Sequence, residues 1–310
     1  MWGVRYALAG AMKVPQMDDG CEEVVRGTRI EGRGSRSWIE EGQGVIRPLL
    51  IWCNSARGLF CAGAVFCEEM FVTFKIVFVY VTLGTLAGII GIPYSMMVGN
   101  IELLYRVVVR GIVPLGLRAG GIRVEVTGLE NVPAGVSCIY LSNHVSNLDP
   151  PVLMPVLPGQ CSVLLKKGLM RIPLLGTAMR LGKFVPVERG QRREAAQASV
   201  AAAQAALRSG LHVLFFAEGT RSEDGRLGAF KSGPFFMAMD TGAPIVPIAI
   251  SGTETMMRKH SAKVTPGVAK VQVLPAIDPA SFTTREELMR AARAAIAAAL
   301  PEEMRPKDSC

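Results

Sequence analysis

The stretch Leu141-Ser142-Asn143-His144-Val145-Ser146-Asn147-Leu148-Asp149-Pro150 places a histidine and an aspartate five positions apart, directly after a short apolar run. The run, residues 136 to 141, is rich in β-branched and aromatic side chains, which predicts a buried strand. Pro150 and Pro151 suit the first turn of a helix, with Asp149 as a candidate N-cap. The sequence therefore predicts that His144 lies in a strand-to-helix turn, where α/β folds build their sites.

His144 and Asp149 are candidates for general acid–base chemistry. A neutral imidazole can take a proton from a hydroxyl, and a nearby carboxylate can fix its tautomer and stabilise the imidazolium that forms. Because a spacing of five does not align two side chains on a regular helix face, the pair requires an irregular turn. The competing interpretation is structural, with Asp149 capping a helix and His144 hydrogen-bonded in the turn.

The composition favours a membrane-associated protein. Half of the 310 residues are hydrophobic, 19 % are charged and the formal net charge is +8, a basic excess that fits anionic lipid or nucleic acid. Only 6 % of the residues are aromatic and no nucleic-acid motif occurs, so lipid is the better partner. The seven cysteines have no C-x-x-C spacing and histidines number three, so we expect no metal site, no disulfide framework and a reduced, cytoplasmic setting.

The first 118 residues of the sequence predict a poorly ordered N-terminal extension followed by a membrane-associated element. Residues 1–69 mix charge, glycine and scattered apolar residues without periodicity, so we expect a poorly ordered extension without the layout of a signal peptide. An alternative is that the natural chain begins at Met70. Residues 70–118 are expected to form a membrane-associated helical element.

Two segments make up this membrane element. Residues 76–98 carry no charge over a length that can span a bilayer, although three glycines and Pro93 also permit a kinked or re-entrant segment. A buried core helix is the alternative for this segment. Residues 101–113, with Arg106 and Arg110 four apart, are typical of an interfacial amphipathic helix.

Residues 119–300 alternate strand and helix signals, which predicts an α/β domain with a mixed, mostly parallel sheet covered by helices. Besides residues 136–141, strands are predicted at residues 122–126, 161–165, 184–187, 211–216, 245–250 and 271–274. An alanine-rich helix is predicted at 192–209, and a capping box at Thr284 opens a last helix that ends near Leu300. Residues 301–310 are expected to be a charged, frayed tail.

A second polar turn follows the apolar strand that ends at Phe216. Gly219 lets the backbone approach a ligand, and Arg221 offers a planar fork suited to a phosphate. Glu218 can accept from a ligand hydroxyl or orient Arg221, while Thr220 adds a hydroxyl donor. The alternative is an ordinary polar turn after a strand.

Two further stretches follow predicted strands or lie within them. Residues 166–173 begin with two lysines and include Arg171, cations that could hold a phosphate or form a solvated face.

Pro247 lies inside an apolar strand, where a residue without an N–H predicts an edge strand or a bulge.

These four stretches, in this order, resemble the membrane glycerolipid acyltransferases, and most closely the 1-acyl-glycerol-3-phosphate acyltransferase family. The family motif N-H-x-S-x-x-D is complete from Asn143 to Asp149, and the second motif is matched by residues 167–173. The third, F-P-E-G-T-R-S, is matched by residues 216–222 except at Ala217, where proline is usual. The fourth is matched by residues 246–248.

The resemblance implies a glycerol-3-phosphate acyltransferase-like α/β fold preceded by an apolar helical element, which in some members dips into one leaflet. It implies that His144 is the general base on the sn-2 hydroxyl of 1-acyl-glycerol-3-phosphate (lysophosphatidic acid), with Asp149 orienting it. The hydroxyl attacks an acyl-CoA or acyl carrier protein thioester without an acyl-enzyme, giving phosphatidic acid with no metal or further cofactor. The residues implied to hold the glycerol phosphate are Glu218, Gly219, Thr220, Arg221 and Lys167.

The resemblance also implies that the catalytic domain lies on the cytoplasmic face of the cell membrane. Other acceptors would use the same chemistry, namely glycerol-3-phosphate, another lysophospholipid or an amino-acid lipid, although the turn with Arg221 favours a phosphorylated one. A thioester or lipid hydrolase, with water as acceptor, and a non-catalytic membrane scaffold are the alternatives from other classes.

Overall fold

The computed structural model describes residues 69–187, 193–259 and 261–306. The expected extension lies outside these residues except for Glu69, and so do the last four residues of the expected tail. Within the described residues the strands form one sheet: β1 (Ile122–Thr127), β2 (Ile139–Ser142), β3 (Cys161–Lys166), β4 (Val185–Val187), β5 (His212–Phe216), β6 (Ile245–Ser251) and β7 (Gly267–Val273).

The sheet has the order β1-β7-β6-β2-β5-β3-β4. All neighbours are parallel except β6 and β7, which pair antiparallel. The predicted mixed, mostly parallel sheet is confirmed, and all seven predicted strands are present. Strand β7 is longer than predicted because its first half, which starts at Gly267, pairs with β1.

Helices connect most of the strands. The first, α1, spans Glu69–Val98. The next two, α2 (Glu102–Tyr105) and α3 (Val113–Ala119), are joined by a π-helical stretch, Arg106–Ile112. The others are α4 (Asp149–Val156), α5 (Leu175–Leu181), α6 (Arg193–Arg208), α7 (Gly233–Thr241), α8 (Thr253–Met256) and α9 (Arg285–Ala299). The predicted capping box at the start of α9 is confirmed, with the Thr284 side chain accepting from the Glu287 amide.

The two faces of the sheet carry separate cores, because successive side chains of a strand point to opposite sides. In β2, Tyr140 packs in a core with residues of α1, α3 and α4, including Val72 and Val152. Its neighbours Ile139 and Leu141 pack in the other core, with residues of α6, α7 and α9. Helix α1 therefore lies over one face of the sheet and α9 over the other.

Helix α1 is long and apolar enough, by length and composition, to cross a membrane. It is continuous through the three glycines and Pro93, so no re-entrant break interrupts it. Most of its apolar side chains face outward, including Phe74, Phe78 and Ile90 at 57–65 % exposure. A continuous, outward-facing apolar surface of this kind suits contact with lipid.

Glycines fit α1 closely against the rest of the domain. A Cβ at Gly116 of α3 would lie 2.1 Å from the ring of Tyr80, and one at Gly120 would lie 2.4 Å from Ile76. The Tyr80 hydroxyl also donates to the Val113 carbonyl at 3.1 Å. Because there is no room for a methyl group at these positions, the contact depends on glycine.

Pro247 contradicts the edge prediction, because β6 lies inside the sheet between β7 and β2. The ladder with β7 begins at Ile248. The Pro247 carbonyl accepts from the Leu274 amide on the β7 side, so its nitrogen also faces that side, where the ladder has ended. Pro247 has no N–H to donate back to Leu274, so this pair keeps a single hydrogen bond and the ladder with β7 ends there.

The prediction of a frayed tail is wrong for residues 301–306. Glu302–Met304 form a 3₁₀ turn, and Met304 is only 3 % exposed. Met304 packs in a small core with Leu227 and Ile296, and its carbonyl accepts from the Leu227 amide at 2.8 Å. One buried apolar side chain and hydrogen bonds to Leu227, Arg226 and Leu300 hold this charged segment in place.

Candidate active site

The candidate site lies at the carboxyl edge of three neighbouring parallel strands, β6, β2 and β5. The turn after β2 carries His144, the turn after β5 carries Glu218, and α8 directly after β6 begins with Thr253. Because parallel strands end at the same edge, residues more than a hundred positions apart in sequence meet there.

His144 and Asp149 are brought together as the sequence predicted. His144 Nδ1 lies 2.7 Å from Asp149 Oδ2, with the imidazole 12 % exposed and the carboxylate fully buried. An ionised carboxylate only accepts, so Nδ1 carries the proton and Nε2 keeps a lone pair. The His144 ring also stacks on Phe216, with centroids 4.1 Å apart, which fixes its plane.

Asp149 is not the N-cap that the sequence suggested. Leu148 occupies that position, and Asp149 is the first residue of α4. Its Oδ2 instead accepts from the amides of Val145 and Ser146, each at 2.8 Å, so the carboxylate holds the irregular turn before the helix. Its Oδ1 accepts from the Thr253 hydroxyl at 2.6 Å. Both oxygens of the Asp149 carboxylate therefore accept hydrogen bonds within the site.

The turn between the pair is tied to the sheet by two further polar side chains. The Asn143 side chain donates to the Ile250 carbonyl and accepts from the Ile250 amide, each at 2.9 Å. The Ser146 hydroxyl donates to the Met257 carbonyl at 2.9 Å. Both residues are buried and hold the turn against β6 and the segment after α8. The geometry of the pair thus depends on a rigid frame rather than on a free loop.

Glu218 contacts the main chain of the His144 turn. Its Oε1 accepts from the His144 amide and its Oε2 from the Gly228 amide, each at 3.0 Å. Burial raises the pKa of the Glu218 carboxyl above its usual value, and the two backbone hydrogen bonds oppose that rise. A Cβ at Gly228 would lie 2.9 Å from Oε2, so this position needs glycine.

Ala217, where the motif usually has proline, uses its N–H. The Ala217 amide donates to the Ser142 carbonyl at 2.8 Å, and its carbonyl accepts from the Lys231 amide at 2.8 Å. The first bond extends the contact between the ends of β2 and β5, and the second ties the turn to the segment before α7. The departure from the motif therefore adds a hydrogen bond at the site that proline cannot make.

Gly219 and Thr220 are exposed in the same turn, and Arg221 follows them. Gly219 has a positive φ of 72°, the conformation that glycine adopts without strain. Arg221 is half-buried, and its Nη1 is buried without a hydrogen-bond partner among the described residues. Lys167 begins the 3₁₀ turn after β3, next to β5 in the sheet, so it lies at the same edge.

Sequence reasoning did not single out Thr253 or Gly228. Thr253 follows β6 by two residues and lies 104 positions from its partner Asp149, so spacing gave no signal. Gly228 lies in the loop between β5 and α7, outside the residues matched to a motif. Among residues 69–187, 193–259 and 261–306, no group of three His, Cys, Asp or Glu side chains is placed to hold a metal ion.

Comparisons with known proteins agree with this geometry. Residues 123–251 match the acyltransferase family. The chain is 31 % identical over 217 residues to a 1-acyl-sn-glycerol-3-phosphate acyltransferase of Limnanthes alba, an alignment that covers 70 % of this chain and 75 % of the relative. It is 34 % identical over 163 residues to the human 1-acyl-sn-glycerol-3-phosphate acyltransferase alpha, covering 53 % of this chain and 58 % of the relative.

The fold is also similar to a solved structure. The crystal structure of the 1-acyl-sn-glycerophosphate (LPA) acyltransferase PlsC from Thermotoga maritima superposes with a TM-score of 0.62 at 26 % sequence identity. The match covers 74 % of this chain and 92 % of that chain.

Proposed function

The chain belongs to the 1-acyl-sn-glycerol-3-phosphate acyltransferase family, and we propose that it moves a fatty acyl group from a thioester to lysophosphatidic acid. The product is phosphatidic acid, a precursor of phospholipids. The observation that carries this proposal is the 2.7 Å contact between His144 Nδ1 and the buried Asp149 carboxylate, inside a complete N-H-x-S-x-x-D motif.

The geometry supports a single-displacement mechanism. His144 Nε2 takes the proton of the sn-2 hydroxyl while the oxygen attacks the thioester carbonyl carbon, and the C–S bond then breaks. The imidazolium returns the proton to the leaving thiolate. Asp149 holds the tautomer and balances the charge on the ring while it carries the extra proton. Ser146 is not the nucleophile, because its hydroxyl donates to a main-chain carbonyl.

The acceptor phosphate is assigned to the exposed part of the turn after β5. Arg221 supplies a guanidinium whose Nη1 has no hydrogen-bond partner among the described side chains and main chain. Gly219 and Thr220 are exposed beside it, and Lys167 lies at the same edge of the sheet. Glu218 is assigned a positioning role, because both of its oxygens accept from main-chain amides.

Helix α1 associates the protein with a membrane. We assign the protein to the cell membrane with the α/β domain on the cytoplasmic face, because that side gives a water-soluble thioester access to His144. The exposed apolar surface of α1 supports the membrane contact.

An acyl-transfer assay with several acceptors tests the proposed function. Membranes carrying the protein receive oleoyl-CoA with lysophosphatidic acid, glycerol-3-phosphate, lysophosphatidylcholine or no acceptor, and products are read by mass spectrometry. We expect phosphatidic acid from lysophosphatidic acid and little product from the other acceptors. Oleate released equally in every reaction would identify a hydrolase and contradict the proposal.

A further inference from the structure

The segment that follows β3 exposes apolar side chains beside α1. It consists of the 3₁₀ turn Lys167–Arg171, the residues that lead to α5, and α5 itself. Leu169, Ile172 and Leu175 of this segment are 39–46 % exposed. A single exposed apolar residue needs no explanation, whereas a cluster of them next to a lipid-facing helix indicates an interaction surface.

This segment packs directly against α1. A Cβ at Gly88 of α1 would lie 3.4 Å from the Cβ of Leu174, so the two segments are in close contact. On either side of Gly88 the helix exposes large apolar side chains, namely Leu86, Ile89 and Ile90, at 56–65 %. The outward apolar surface of α1 therefore continues onto the α/β domain at this segment.

The main chain at Leu174 is held in an unfavourable conformation. Its φ of 58° and ψ of −59° define a γ-turn, which the Leu175 amide closes by donating to the Pro173 carbonyl at 2.6 Å. A residue with a Cβ adopts this turn at a cost in free energy, and such strain persists only where the surrounding structure imposes it. The turn places Leu174 against Gly88 and leaves Ile172 and Leu175 exposed beside α1.

The charged side chains of the same region are all positive. Residues 161–187 contain no aspartate or glutamate, and their five cations are Lys166, Lys167, Arg171, Arg180 and Lys183. All five are exposed. The Arg180 guanidinium donates to the Met170 carbonyl at 3.2 Å, which ties α5 to the 3₁₀ turn and keeps this cation beside the apolar cluster. Apolar side chains ringed by cations are the composition of a protein surface that binds anionic lipid.

We propose that residues 166–183 form a second membrane-binding surface, which docks on anionic lipid beside α1. The three exposed apolar side chains enter the boundary of the acyl layer, and Arg171 and Lys183 meet the phosphates of anionic headgroups. The segment follows β3 at the carboxyl edge of the sheet, the edge that also carries His144, so docking turns this edge toward the bilayer. The proposal rests on the membrane association of α1 and not on the proposed reaction.

Photo-crosslinking to lipid tests the docking without the reaction. Benzoylphenylalanine replaces Ile172, Ile90 or Val136, one at a time, in the full chain reconstituted into vesicles of phosphatidylcholine and phosphatidylglycerol. Val136 is the control, because it is 49 % exposed in the loop before β2, at the opposite edge of the sheet. After irradiation, mass spectrometry should find lipid adducts at positions 172 and 90 and none at 136. No adducts at position 172, or equal yields at 172 and 136, would overturn the proposal.

Vesicle charge tests the role of the cations. The adduct yield at position 172 is measured with and without phosphatidylglycerol, in the unaltered background, in an Arg171→Gln and Lys183→Gln double variant, and in an Arg290→Gln control. Arg290 is exposed on α9, which packs on the face of the sheet opposite to α1. We expect phosphatidylglycerol to raise the yield at least about fivefold in the unaltered background and the control, and to leave it nearly unchanged in the double variant.

Equal yields in the two kinds of vesicle, or the same rise in the double variant, would overturn binding to anionic lipid. Lipid adducts at position 172 in a protein that forms no phosphatidic acid would instead contradict the proposed function and leave the membrane-binding surface standing.

Discussion

Glu218 and His144 are joined through the main chain: the Glu218 carboxylate accepts a hydrogen bond from the His144 backbone amide at 3.0 Å. The other oxygen of the same carboxylate accepts from the Gly228 amide at 3.0 Å. The third motif therefore holds the histidine of the first motif in position, in addition to any contact it makes with substrate. Glu218 is therefore proposed to position His144, whereas Arg221 in the same turn is proposed to bind the acceptor phosphate.

Replacing the Glu218 carboxylate should lower turnover more than acceptor affinity. In Glu218→Gln the amide NH₂ faces a main-chain N–H, so one of the two hydrogen bonds is lost and two donors oppose each other. A loss of about 1–3 kcal/mol in the His144 turn corresponds to a fall in kcat of roughly tenfold to a hundredfold. The KM for lysophosphatidic acid should stay within about twofold, since Glu218 acts through the turn and not through the phosphate.

The matched control is Glu130→Gln, an exposed glutamate in the 3₁₀ turn after β1. Steady-state kinetics on both variants give the comparison. An unchanged kcat with a raised KM for lysophosphatidic acid in Glu218→Gln would contradict this role and indicate that Glu218 contacts the acceptor directly.

Thr253 should support the catalytic pair through Asp149. Its hydroxyl donates to Asp149 Oδ1 at 2.6 Å, and both side chains are buried. Thr253→Val keeps the shape and removes the donor, which leaves a buried carboxylate oxygen unsatisfied at a cost of about 1–3 kcal/mol. We expect a lower unfolding temperature and a kcat reduced about tenfold.

Thr255→Val serves as the control, because the Thr255 hydroxyl is exposed and donates to the Gly252 carbonyl. This variant should behave as the wild type. Equal effects of the two substitutions would show that the bond to Asp149 is not what matters.

The fit of α1 against α3 should depend on Gly116. A methyl group there would lie 2.1 Å from the ring of Tyr80, so Gly116→Ala forces the helix or the ring to move, at about 1–3 kcal/mol. Gly84 of α1 has no heavy atom within 4 Å of the same test position, so Gly84→Ala should be neutral or slightly stabilising. Thermal unfolding in detergent distinguishes the variants. If both variants unfolded at the temperature of the wild type, the packing described for α1 would be wrong.

Two buried cysteines should resist alkylation at neutral pH. Burial raises the pKa of Cys138 and that of Cys161 to about 12. At pH 8 the thiolate fraction of each is then on the order of 10⁻⁴, and only the thiolate reacts. Iodoacetamide treatment and peptide mapping should find both thiols unmodified in the native protein and modified after denaturation. Rapid native labelling of either would contradict its burial.

The sequence predicted the strands and the contact between His144 and Asp149 well because both have local signals. Apolar runs with flanking turns mark β2 and β5, and the spacing between His144 and Asp149 required the irregular turn that is observed. Pro247 was misjudged because its environment depends on where the neighbouring strand β7 ends, and β7 is distant in the chain. Local reasoning has no access to the register of a partner strand.

The partners that complete the site were missed for a related reason. Thr253 reaches Asp149 only because β6 lies beside β2 in the sheet, although the two residues are 104 positions apart in the chain. Neither Thr253 nor Gly228 stands in a motif. The capping role suggested for Asp149 failed differently, since Asp149 is itself the first residue of α4 and its carboxylate accepts from amides of the turn before the helix.

The most direct test of the central claim is phosphatidic acid formation by wild-type protein and by His144→Ala at equal amounts in membranes. Lysophosphatidic acid and oleoyl-CoA are supplied, and the product is quantified by mass spectrometry, with the unfolding temperature of both proteins measured alongside. We predict that the wild type forms phosphatidic acid and that the variant, folded equally well, loses at least about a thousandfold in rate. A comparable rate in His144→Ala would contradict the assignment of His144 as the base.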